Sequence, residues 1–256
     1  MRLVVKYGGN ALAIGGDDPV LADVADAAKR GDDVVLVHGG GPQIDAALAE
    51  RGIGERRIDG LRVTDAPTLA VTEQVLCATV NKALVRGLLS LGVRAVGVSG
   101  EDAAMLRSTR RDALGFVGAI PTVDTALIET LLAAGFLPVI APLALDAKTG
   151  TPLNVNADEA AGAIAGALGA DAYLVITNVD GVRANADDPQ TTVRSLTTVQ
   201  ARQWLDDGTL NAGMRPKMRG ALAAVEQGAR RVLIAGMGEN PLGHALDGGG
   251  TAIIPP

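Results

Sequence analysis

Aromatic side chains are nearly missing from this chain: two Phe, two Tyr and one Trp make up only 2% of it. Nucleic-acid recognition by base stacking is therefore disfavoured. Ala, Gly, Val and Leu dominate instead, a composition that suits helices packed closely on a sheet better than a β-sandwich. Cysteine is equally scarce. Cys77 has no second thiol to pair with, and its apolar helical setting reads as a small buried hydrophobe in a reducing cytoplasm. Basic charge is short as well: the net charge is −6, the pI is about 5.0, and no run of Lys or Arg offsets the acidic surface. That disfavours a general nucleic-acid or anionic-membrane binder and leaves any anionic ligand to a local site. No apolar run reaches membrane-spanning length, and no basic region precedes an apolar segment at the start, so neither a membrane span nor a signal peptide is expected.

What is present is a core-forming chain of 256 residues, 48% hydrophobic, enough for one large domain or two fused lobes. Leu3 to Tyr7 reads as a buried strand followed at once by Gly8 and Gly9. Lys6 then lies at the strand's carboxyl edge, where ligands bind in open α/β sheets and where glycines let backbone N–H groups approach phosphate oxygens. A strand-end lysine can equally snorkel to water. The design repeats: strand Val34 to Val37 runs into His38-Gly39-Gly40-Gly41-Pro42 and then a helical pattern from about Gln43. Three successive glycines fit either an anion-facing turn or simply a tight one. Neither run ends in Gly-Lys-Ser/Thr, and neither is Gly-x-Gly-x-x-Gly, so the usual nucleotide-binding loops are disfavoured.

The alternation continues along the chain. Asp18-Pro19 signals a helix start, and a second helix is expected from Asp65-Ala66-Pro67 to about Leu91. Strands are expected at Val93 to Val98, Leu137 to Ala141, Ala172 to Thr177, Arg231 to Ala235 and Thr251 to Ile254. Helices are expected from Asp124 to Ala134, Asn156 to Leu168, near Thr197 to Asp207 and from Gly213 to Gln227. Residues 101–123 lack a helical period and read as a β-hairpin excursion, with Arg107, Arg110 and Arg111 as a solvated edge or a dock for an acidic partner. Such units imply a mainly parallel sheet covered by helices, with a soft division near residue 170.

Three segments carry chemistry: VVKYGGNA with Lys6, NVNADEAAG with Asp158 and AGMRPKM with Lys217. Two ammonium groups and one carboxylate brought together are what phosphoryl transfer needs. Together with HGGGPQID, GLRVTD, LGFVG and TNVDGV, in order along nearly the whole chain, they resemble the amino acid kinase family, in its N-acetylglutamate kinase branch.

That resemblance implies a three-layer α/β/α sandwich around a largely parallel eight-stranded sheet. It implies an acylamino-acid-binding and dimerisation lobe over residues 1–170 and a nucleotide-binding lobe over 171–256. The implied reaction is attack by an acylated amino acid's side-chain carboxylate on the γ-phosphate of ATP, with Mg2+, giving an acyl phosphate. Lys6 and Lys217 would flank the transferred group and Asp158 would orient them, with no protein metal ligand. Gly40, Gly41, Arg62 and Asn154 would hold the substrate, Arg62 by its α-carboxylate. Gly8, Gly9, Asn178, Val179, Asp180, Gly181, Val182, Arg183, Thr209, Leu210 and Asn211 would meet the nucleotide, although Asp180-Gly181 is also a turn signal. No catalytic base is needed, so His38 reads as a structural turn residue.

Departures leave the substrate open. Val232 to Gly236, the Glu239-Asn240-Pro241 segment, Ala245 to Thr251 and Cys77 to Lys82 look more like aminoadipate kinases, whose substrate rides on an acidic amino-group carrier protein. N-acetylglutamate is the leading reading, with acetylated or carrier-linked aminoadipate or glutamate second. A non-catalytic nucleotide-binding regulator is the reading of another class. With the first strand starting at residue 3, an arginine-insensitive homodimer is expected.

Overall fold

A computed structural model describes residues 1–8, 18–119 and 121–256. The chain opens with two strand–turn–helix units, β1 (Arg2–Tyr7), α1 (Pro19–Lys29), β2 (Asp33–His38) and α2 (Gly41–Glu50). A hairpin, β3 (Arg57–Ile58) and β4 (Leu61–Arg62), leads into a long rod made of α3 (Ala66–Glu73), a π-helical segment Gln74–Val80 and α4 (Asn81–Ser90). Then come β5 (Ala95–Ser99), β6 (Leu106–Ser108), β7 (Thr122–Val123), α5 (Ala126–Ala133), β8 (Leu137–Ala141), β9 (Leu143–Asp146) and β10 (Pro152–Asn154). The remainder is α6 (Ala157–Ala167), β11 (Ala172–Thr177), β12 (Ser195–Thr197), α7 (Thr198–Asp206), α8 (Met214–Glu226), β13 (Val232–Gly236), α9 (Pro241–Leu246) and β14 (Thr251–Ile254).

Among the described residues, the main sheet has eight strands in the order β12-β14-β13-β11-β1-β2-β8-β5. All neighbours are parallel except β13 and β14. The last strand is therefore internal, held between β12 and β13. Because side chains alternate along a strand, the central strands feed two separate cores. Leu3, Val5 and Tyr7 of β1 pack with α1, α2, α4 and α9, whereas Val4 points to the other face among residues of α5, α6 and α8. This is the expected three-layer sandwich, and by the same alternation Lys6 faces α6 and α8.

The sequence-based elements largely agree with it. Asp18 caps α1 by accepting from the backbone of Val20 and Leu21, as Asp18-Pro19 suggests. The expected Asp65–Leu91 helix exists but contains the π-helical segment. The 101–123 excursion does pair antiparallel, Leu106 with Val123 and Arg107 with Thr122, yet it is no free hairpin. β6 also pairs parallel with β9, and with β10 these strands make a second, four-stranded sheet.

Candidate active site

The site begins with a helix cap. Asn156 accepts from the backbone N–H groups of Asp158 at 2.9 Å and Glu159 at 3.2 Å, which fixes both acidic side chains in the first turn of α6, where the helix dipole favours negative charge. Asp158 then meets Lys6 from the edge of β1, Oδ1 to Nζ at 3.0 Å, and Lys217 from the first turn of α8, Oδ2 to Nζ at 3.4 Å. One carboxylate thus spaces two ammonium groups and leaves one positive charge in excess. Burial penalises the charged form of Lys6 more than Asp158 supports it, and the ammonium's pKa falls to about 8. Burial also opposes ionisation of Asp158, but Lys217 and Lys6 outweigh it and hold the carboxyl below its ordinary value.

These groups open onto a cavity of about 700 Å³. Gly8, Gly40, Gly41, Arg62 and Asn154 reach it from the amino-terminal part of the chain. Asn178, Val179 and Asn211 reach it from the other. Gly8 has no room for a side chain, since a Cβ there would stand 2.8 Å from the backbone nitrogen of Gly39. Gly40 and Gly41 lie at the N-terminus of α2, where backbone N–H groups and the helix dipole suit an anion.

The motifs GLRVTD, LGFVG and NVNAD are interlaced by backbone hydrogen bonds. Thr64 donates to Leu114 and accepts from Phe116, Asn154 donates to Phe116, and Gly118 donates to Asn154, all at 2.7–3.0 Å. The Asn154 side chain donates to the Thr64 hydroxyl at 3.1 Å, and that hydroxyl donates to the carbonyl of Arg62 at 3.0 Å. Arg62 itself is buried, with its guanidinium on Glu55 at 2.9 Å and on Asp45.

Other expected nucleotide contacts are placed elsewhere. Asp180 lines a second cavity of about 450 Å³ beside Glu239, Asn240 and His244. Gly181, Val182, Arg183, Thr209 and Leu210 do not line the larger cavity. Val182 is buried and donates its N–H to the Thr251 hydroxyl at 2.8 Å, and Leu210 packs into a core. Arg183 donates to the carbonyl of Ala186 at 3.3 Å, and the Thr209 hydroxyl to Asp207 at 2.6 Å. Gly9 lies outside the described residues.

His38 is fully buried, donating from Nδ1 to the carbonyl of Gly39 at 2.8 Å and accepting at Nε2 from the Asn81 amide at 3.1 Å. Desolvation lowers its pKa to about 4, so the ring is neutral. Three features escaped the sequence reading. Arg57 also lines the cavity. Glu159, 0% exposed, holds Arg111 at 2.9 Å and faces Arg219 of α8 at 3.9 Å. Arg111 is thus a partner of a buried carboxylate, not a solvated edge, and Arg110 stacks on Phe116, 4.3 Å from its ring centre.

The profile of the amino acid kinase family matches residues 1–236, which include Lys6, Asp158 and Lys217. The chain belongs to the amino acid kinase family. Among its relatives is the acetylglutamate kinase of Symbiobacterium thermophilum, 41% identical over 91% of this chain and 83% of that protein. The acetylglutamate kinase of Methanopyrus kandleri is 41% identical over 94% and 98% of the two chains. A Streptococcus mutans protein of known crystal structure superposes with a TM-score of 0.85 at 30% identity, covering 99% of this chain and 98% of its own. This amino acid kinase chain is thus matched over nearly its full length, and the three chemistry-bearing segments sit inside the matched region.

Proposed function

We propose that this protein transfers the γ-phosphoryl group of ATP to the side-chain carboxylate of N-acetyl-L-glutamate, as in arginine and ornithine-type biosynthesis. The observation that carries it is the Lys6–Asp158–Lys217 ion chain, two cations held on one buried carboxylate at the wall of a cavity large enough for both substrates. The names of the acetylglutamate kinase relatives favour this substrate over carrier-linked aminoadipate and over a non-catalytic role.

The substrate carboxylate is ionised at neutral pH and attacks the γ-phosphorus directly. A new P–O bond forms, the bond to the β-phosphate oxygen breaks with its electron pair going to ADP, and an acyl phosphate results. No proton must be removed, so the chain's task is positioning and charge compensation. Lys6 and Lys217 offset charge on the transferred oxygens and on departing ADP, and Asp158 sets their separation. Gly8, Gly40 and Gly41 offer backbone to the phosphoryl group, and Arg62 and Asn154 hold the acylated amino acid. Asn178, Val179 and Asn211 serve the nucleotide, so residues 1–170 supply the acylamino side and 171–256 most of the nucleotide side. Asp180, Gly181, Val182, Arg183, Thr209 and Leu210 support that side from behind or beside the cavity.

Magnesium enters as part of the ATP co-substrate. Among the described residues no group of three or more His, Cys, Asp or Glu side chains could hold a metal, and Asp158 is already shared by two lysines. The homodimer belongs to this proposal too: among the described residues β5 is an edge strand of the main sheet, and Leu89 on the neighbouring α4 is 52% exposed. A cytoplasmic setting suits the lone thiol, Cys77.

The test is hydroxylamine trapping of the acyl phosphate with MgATP, on N-acetylglutamate and N-acetylaminoadipate in parallel. Hydroxamate formed preferentially from N-acetylglutamate is expected; none from either, with ATP still bound, would end the proposal.

A further inference from the structure

The Arg62 guanidinium does not wait empty at the cavity wall. Its Nη1 holds Glu55 at 2.9 Å, and its Nη2 holds Asp45 and touches the carbonyl of Gly41 at 3.4 Å. A second guanidinium shares both carboxylates: Arg57 grips Asp45 with Nη2 at 3.0 and 2.8 Å and Glu55 with Nε at 3.2 Å. Two cations and two anions therefore make a closed, neutral square. An incoming carboxylate makes three anions for two cations, and one of the resident acids must give way.

The two acids are not equally free to move. Asp45 sits in the body of α2 and is held by both oxygens. Glu55 lies in the irregular segment between α2 and β3, its side chain is 42% exposed, and each arginine meets it through one oxygen, Oε2. A carboxylate of that exposure regains water readily, whereas Arg62, with 6% of its side chain exposed, cannot.

We propose that Glu55 is a specificity-determining residue of the acylamino-acid side: it occupies the seat on Arg62 that a ligand carboxylate takes, so that only a ligand bringing a carboxylate of its own displaces it. The inference rests on the reading of Arg62 as the substrate's carboxylate grip. A neutral ligand group has nothing to exchange for the ion pair and leaves Glu55 in place. When Glu55 is displaced it stays on Arg57, within reach to return as the product leaves.

The experiment is calorimetric titration of wild type and Glu55→Gln with N-acetylglutamate, its α-carboxamide and plain glutarate, with KM for N-acetylglutamate measured alongside. Removing the competing charge should tighten both carboxylate ligands by roughly two- to fivefold, the range of a solvent-accessible ion pair, and leave the carboxamide unchanged. KM should fall with the dissociation constant. If wild type and variant ignore N-acetylglutamate while glutarate still binds more tightly to the variant, the substrate reading fails and the role of Glu55 stands. Weaker or unchanged carboxylate binding in Glu55→Gln, or equal gain by the carboxamide, overturns the proposal, because Glu55 would then orient Arg62 or merely crowd the cavity.

Discussion

Gly220 of α8 lies so close to Asp158 of α6 that a Cβ on Gly220 would stand 2.2 Å from the Asp158 carbonyl oxygen. Backbone meets backbone here, and the same approach brings Lys217, one turn earlier on α8, to the Asp158 carboxylate. Gly220→Ala should push the helices apart, destabilise the fold by about 1–3 kcal/mol as overpacking does, and lower kcat on the order of ten- to a hundredfold through misplacement of Lys217. Thermal unfolding and steady-state kinetics on one preparation check both; a normal kcat would mean that helix spacing does not set the position of Lys217.

Lys217→Ala removes one of the two charges without touching the other. In such a site the loss of one charge-stabilising donor costs ~10²–10³ in rate. Turnover should drop by that order while ATP binding, followed by calorimetry, weakens far less. Near-normal turnover would show that Lys217 does not face the transferred phosphoryl group.

The pH profile should report Lys6. Its ammonium titrates at about 8 in the folded protein against an ordinary 10.5, so kcat/KM should fall on the alkaline side with a midpoint near pH 8. Lys6→Arg should abolish that limb, because a guanidinium stays charged, even if the residual rate is low. The stability sign is opposite. Between pH 8 and 10.5 the unfolded chain binds more protons at Lys6 than the folded one, so this group's contribution to stability increases with pH across that window. Activity should therefore be lost before structure, which circular dichroism along the same series checks.

The buried Glu159 gives an asymmetric pair of variants. Arg111→Ala leaves the carboxylate with Arg219 alone, at 3.9 Å, and should cost about 3–5 kcal/mol. Glu159→Gln leaves two arginines that are each partly exposed, 30% and 24%, and should cost less. Denaturant titration of the two proteins settles the order; a larger loss for Glu159→Gln would contradict the assignment of the buried charge.

Long apolar strands and capped helices were the legible part of the chain. Ala172–Thr177 and Thr251–Ile254 form as expected because each is a continuous apolar run between turn signals, and Asp18 caps α1 because Asp before Pro has few other uses. Strands of two or three residues, such as β6, β7 and β10, are too short to show a period, and their pairing depends on partners up to dozens of residues away. The β3–β4 hairpin did leave a signal: Asp59-Gly60 is a hairpin dipeptide, and both residues adopt positive φ, 49° and 80°. The cluster of Lys6, Asp158 and Lys217 came from motif order, since no local pattern tells that residues 6, 158 and 217 meet. Arg111 was misjudged for the same reason, because nothing around it in sequence names Glu159, the distant carboxylate that holds it, whereas Arg57 was passed over although one of its carboxylates, Glu55, is only two residues away.

The internal place of β14 sets an order of assembly. Among the described residues β12 pairs only with β14, and Thr251 at its start takes the Val182 N–H and donates to the carbonyl of Val193, pinning the segment that follows β11. This end of the sheet thus waits for its last strand. Residues 178–197 can be complete in sequence and still lack their template, so this segment is closed by contacts across roughly sixty to seventy residues, the kind that form late in folding.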